Sequence, residues 1–200
     1  MPLAQIQVGP QPASDGSIIN ARGSRDGAQV VTHLHGRHYE QASRHNIFSA
    51  ANQAAQAISV ALATTYTGLV VSNPAGSVIN LSILRFGFIP TVAPAAVASI
   101  GIIHGFINAG LTVHTTPLVP ASTFVGGPRG IALADSAATL PVTPTWFNHF
   151  GLVNTTLNGH GPAIGEPDGL LLVPPGGFIA IGALTAVTGM GFMVWEEVPV

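Results

Sequence analysis

Glycine and proline interrupt this chain too often for a long helix to form. Turn signals stand at Ser72-Asn73-Pro74-Ala75-Gly76, Gly110, Gly126-Gly127-Pro128-Arg129-Gly130, Asn158-Gly159, Pro167-Asp168-Gly169 and Pro174-Pro175-Gly176-Gly177. In a helix interior Gly costs about 1 kcal/mol relative to Ala and Pro about 3 kcal/mol, so stretches this punctuated favour strands joined by turns. The runs between the signals are rich in Val, Ile, Leu, Phe and Thr, which suit a pleated, half-buried surface. The spacing predicts strands near 57–62, 67–72, 78–86, 98–107, 111–115, 130–134, 145–153, 169–173, 178–185 and 190–198. Short strands in that number are jelly-roll content. The expected fold is all-β, a jelly-roll β-sandwich over residues 49–200, preceded by an N-terminal arm and hairpin over residues 1–48.

Side-chain parity refines this reading. In 78–86, Ile79, Leu81 and Ile83 share one face, after which the apolar residues switch parity to Leu84 and Phe86. A β-bulge near Leu84 keeps all five inward and turns Arg85 out. In the last strand Phe192 and Val194 occupy one face and Met193 and Trp195 the other, and 178–184 is apolar on both sides. A strand dry on both faces needs a second covering layer, and a subunit interface is the expected cover.

Residues 1–28 read as an extended arm with Gly9-Pro10, Pro12, Asp15-Gly16 and Gly23 and no periodic apolar run. Residues 29–48 predict a hairpin, Gln29 to His35 followed by Gly36-Arg37 and His38-Tyr39-Glu40. From Ala50 to Ala61, the alternation of Ile58, Val60 and Leu62 favours a strand over a short helix.

Charge narrows the partners. Only 6 basic and 8 acidic residues occur, 7% of the chain, with a net charge of −2. All six basic residues are Arg, and no broad basic patch exists to neutralise phosphates, so no nucleic-acid partner is expected. The uncharged stretches 86–128 and 169–195 are broken by Pro and Gly, against the roughly 20 continuous apolar residues of a spanning helix, so no membrane partner is expected either. The opening Met1-Pro2-Leu3-Ala4-Gln5-Ile6 lacks the basic and apolar regions of a secretory signal. With no Cys, neither disulfides nor thiolate metal sites are available.

Chemistry-bearing patterns are few. Gly27, His33, His35 and Glu40 match the opening half of the cupin metal signature, in which His at i and i+2 project from one strand face. In the closing half, framed by Gly169, Pro175 and Gly177, Ala180 stands where that signature has its His. His45, His104, His114, His149 and His160 are scattered without ligand spacing, and His104 reads as a satisfied core or interface residue. Glu196 and Glu197 point to opposite strand faces and cannot flank one glycosidic bond; they read as a solvated or interfacial strand end. Gly126 to Gly130 lacks the Lys-Ser/Thr of a phosphate loop and reads as a turn. No catalytic residue, metal or cofactor is expected.

The stretch Leu34-His35-Gly36-Arg37-His38-Tyr39-Glu40 leading to Asn46-Ile47-Phe48, the Asn73-Pro74-Ala75-Gly76-Ser77 turn before Asn80-Leu81, and the terminal Trp195-Glu196-Glu197-Val198-Pro199 resemble jelly-roll decoration (cement) proteins of tailed bacteriophage heads. The likeness covers about residues 30–200. It implies a virion protein made in the host cytoplasm, a homotrimer bound to the major capsid protein on the outside of the capsid, with no active residue. Scarce charge suits a subunit buried in an assembly, and Arg side chains suit desolvated contacts with carboxylates and carbonyls. The expected interface residues are Arg22, Arg25, Arg37, Arg44, Met193 and Trp195. The alternatives are a cupin-like metal-dependent enzyme and another viral assembly part: a head-fibre base, a collar piece or a coat protein.

Overall fold

The computed structural model describes residues 36–58, 60, 62–107, 113–156 and 161–200. The chain divides into two units, Met1–Glu40 and Gln41–Val200. The expected boundary at 48/49 falls inside the first strand instead. The whole of the arm, residues 1–28, and the first limb of the expected hairpin, Gln29 to His35, lie outside the described residues. Its second limb is not a strand: Tyr39–Ser43 form a five-residue helix, α1, with Glu40 in its first turn, where a carboxylate favours the helix dipole.

Among the described residues the strands are β1 (Ile47–Ala51), β2 (Gln56–Ala57), β3 (Thr65–Ser72), β4 (Ile79–Val92), β5 (Ala98–Phe106), β6 (Val113–Leu118), β7 (Ala121–Ser122), β8 (Leu133–Thr139), β9 (Thr145–Val153), β10 (Ala163–Gly165), β11 (Leu171–Val173), β12 (Gly177–Ala183) and β13 (Thr188–Pro199). One sheet runs β10-β4-β13-β1-β7, with β11 also on β4 and β2 on β13; the other runs β6-β8-β3-β12-β5-β9. All pairings are antiparallel, and four of them are nested: β1 with β13, β3 with β12, β4 with β10 and β5 with β9. Nested pairs alternating between two sheets are the jelly-roll wrap. No helix among the described residues is long and apolar enough to cross a membrane.

The core lies between the sheets. Leu81, Ile83, Phe86, Phe88, Met193 and Trp195 from the first sheet meet Leu69, Val71, Ile100, Ile102, Ile179 and Ile181 from the second. The bulge falls at Leu84, as the parity switch predicts: Val194 pairs with Arg85 and Trp195 with Ile83, so Leu84 has no opposite residue. Arg85 is turned out, while Leu84 is buried outside the main core cluster.

Two expectations change. Of the strand predicted over 57–62, the described residues show β2, where Gln56 and Ala57 pair with Gly189 and Thr188 on β13, and Ile58 N–H donates to Val187 C=O at 3.0 Å. The dry outer face of β12 is covered by this chain itself, not by a neighbour. Phe178 and Ala180 join Tyr66, Val70, Ile103, Ala138 and Leu140 in a second apolar cluster, with Trp146 packed against it. Trp146 fits because Gly182 lies beneath it, where a Cβ would come within 2.8 Å of the ring.

Candidate interaction surface

Of the residues expected at an interface, Arg22 and Arg25 lie outside the described residues. Arg37 and Arg44 are exposed beside α1. Met193 and Trp195 are corrected: both are 0% exposed, sealed between the sheets, and offer no surface to a partner. Strict alternation along β13 puts Met190, Phe192, Val194, Glu196 and Val198 on the outside instead. Parity separates the two faces but does not say on which side the second sheet stacks, and Met193 and Trp195 belong to the side it covers.

That outer face of the first sheet is built row by row from paired strands. Ile89 stands beside Met190, Val194 beside Arg85 and Ser49, Glu196 beside Ser82 and Ile47, and Leu172 flanks Ser82 on the other side. Phe192 lies flat over Gly87, where a Cβ would sit 2.4 Å from the ring. Arg85 reaches across it, its guanidinium 5.9 Å from the Phe192 ring centre and 3.1 Å from Glu166. The result is a low, largely apolar surface crossed by Arg85, with Glu196 toward one end.

A second apolar feature projects from the edge of the same sheet. β7 pairs with β1, and the following turn closes by Gly127 N–H donating to Phe124 C=O at 2.8 Å. Gly126 at the turn has φ +86°, a left-handed conformation that suits Gly. Val125 at its tip is 95% exposed and Phe124 50%. The far end of this loop is fixed by Glu197, expected at a solvated or interfacial strand end and found buried within the chain. Its two oxygens accept from Ile131 N–H at 2.9 Å each, and Oε1 also accepts from Ala132 N–H at 2.9 Å. Gly130 leaves room for the carboxylate, which a Cβ would meet at 2.4 Å.

The cupin pattern does not assemble among the described residues. His33 and His35 lie outside them, Glu40 sits on α1, and Ala180 is walled in by Val70 and Ile103. No group of three His, Asp or Glu there is placed to hold a metal. His149 shares a 3.1 Å hydrogen bond with Ser99, and His104 one of 3.3 Å with Thr145. One polar pair escaped the sequence reading: Asp135, wholly buried on β8, bonds His114 Nδ1 on β6, while its other oxygen has no partner. Burial pushes the Asp135 carboxyl above its ordinary value, and the His114 hydrogen bond and charge partly offset this. Burial likewise pushes the Tyr66 phenol far up, and its hydroxyl donates to Ile181 C=O at 2.6 Å. No sequence signal marks either group, since both depend on partners from distant strands.

No protein-family model, curated protein or solved structure matches this chain. The reading of function therefore rests on the surface just described and on the sequence.

Proposed function

We propose that this chain is a structural virion subunit that binds the outside of a phage capsid, through the major capsid protein, and stabilises it as a closed homo-oligomer. The resemblance puts the copy number at three. The observation that carries the reading is the outer face of the first sheet, where Met190, Phe192 and Val194 of a central strand are only partly covered and Ile89 and Leu172 beside them are exposed. Monomeric soluble proteins rarely show contiguous apolar patches beyond a few hundred Å², and this chain has little charge elsewhere to keep such a face soluble. No catalytic residue takes part in this role.

Electron cryomicroscopy of particles from the source of the gene is the direct test. Density for the jelly roll on the capsid exterior is expected. Recovery of the protein only at a collar or fibre base, or in a particle-free fraction, overturns the capsid role. Stoichiometric Fe, Mn or Zn in the purified protein, lost in the His33→Ala/His35→Ala variant, would replace it with the metal enzyme.

A further inference from the structure

We propose that, in the homo-oligomer, the outer face of the first sheet around Val194 receives the turn at Phe124–Gly127 of a second copy of this chain. The inference rests on the homo-oligomer reading above and names its contact. A closed ring needs two different patches on each subunit, one to give and one to receive. This chain carries such a pair on one sheet, the apolar face over β4 and β13 and the projecting turn after β7 at the sheet edge.

The turn is built to protrude. Its tip carries Val125 and Phe124, yet both ends are held, by the Thr123 N–H bond to Ile47 C=O at 2.9 Å and by the Glu197 carboxylate at Ile131 and Ala132. An apolar tip held so firmly is preorganised, and little further ordering entropy is lost when it docks.

The charges agree. Among the described residues Arg85 pairs with Glu166, Asp135 with His114, and Glu197 holds backbone amides. Arg37, Glu40, Arg44 and Asp168 also have partners. Arg129 and Glu196 are left, opposite in sign, with no partner among the described residues. Arg129 is exposed at the base of the turn, and Glu196 stands on the apolar face two residues from Val194. A turn seated on the face of the next copy sets these two charges against each other, where partial desolvation strengthens the pair.

Light scattering of the full chain at micromolar concentration, with a thermal melt of each variant, tests this. The unchanged protein should be an oligomer. Val125→Lys and Val194→Lys should each raise the dissociation constant at least 100-fold while shifting the melting of the subunit by no more than about 2 °C, since both side chains point out of the fold. Arg129→Glu should weaken association about tenfold, and adding Glu196→Arg should restore it. Leu152→Lys, exposed on β9 of the other sheet, should change nothing. A monomeric unchanged protein overturns the homo-oligomer reading and this contact with it. An oligomer indifferent to Val125→Lys or to Val194→Lys, or a charge swap that does not recover, overturns this contact alone. Loss of capsid binding on Val194→Lys with the oligomer intact would assign the face to the capsid protein.

Discussion

Replacing Glu197 tests whether a single carboxylate holds the β7–β8 loop in place. It accepts two backbone N–H groups, from Ile131 and Ala132, with Trp195 Nε1 a further donor at 3.4 Å. A hydrogen bond to a charged acceptor contributes about 1.5–3 kcal/mol, and a buried donor left unsatisfied costs about 1–3 kcal/mol. The two amides differ. Ala132 is 1% exposed and cannot turn to water, whereas Ile131 is 45% exposed and can recover part of its loss. Glu197→Ala should therefore cost about 2–4 kcal/mol. Glu197→Gln keeps one acceptor oxygen but sets an NH₂ where the second oxygen stood, and should cost about half as much. For a chain of this size 1 kcal/mol moves the melting temperature by about 2–4 °C, so Glu197→Ala should melt roughly 5–15 °C lower. Urea unfolding followed by Trp fluorescence gives the free energies, and hydrogen exchange at the Ala132 amide gives the local effect. A Glu197→Ala cost below about 0.5 kcal/mol, or a Gln variant less stable than the Ala variant, would refute the clamp.

Two further outcomes follow from buried polar groups. Because burial raises the folded-state value of Asp135 above its unfolded value of about 3.9, its contribution is most favourable below that value and is lost as pH rises through the raised one. The stability of Asp135→Asn relative to the unchanged protein should thus increase as pH rises above about 4 through the raised value; urea midpoints at four pH values check it, and a flat or falling difference would refute it. Asn73 is 1% exposed and its Nδ2 donates to Ile79 C=O at 2.8 Å and Val173 C=O at 3.0 Å. Asn73→Asp should cost about 3–5 kcal/mol at neutral pH, since it sets a carboxylate against two carbonyl oxygens; a urea midpoint unchanged from the parent would show that the turn can relax around it.

The sequence by itself determined the features that depend on near neighbours. Gly and Pro at the turns and alternation within the runs located most strands, 145–153 to the residue, since turn chemistry and a period of two are local properties. The bulge at Leu84 was legible for the same reason: a parity switch within one strand has one cheap geometric solution. Tertiary structure decided everything that required knowing which strand lies beside or above another. It put Met193 and Trp195 inside and Phe192 and Val194 outside, covered the outer face of β12 with Tyr66, Leu140 and Trp146, and drew Glu197 to amides 66 and 65 positions away in the chain. β1, β7 and β10 were missed because strands of two to five residues form only when a partner edge is presented to them. A face of a strand is apolar or polar by sequence; whether it meets the second sheet, a loop of its own chain or another molecule is settled only when the sheets stack, because burial belongs to the pair of surfaces and not to either one.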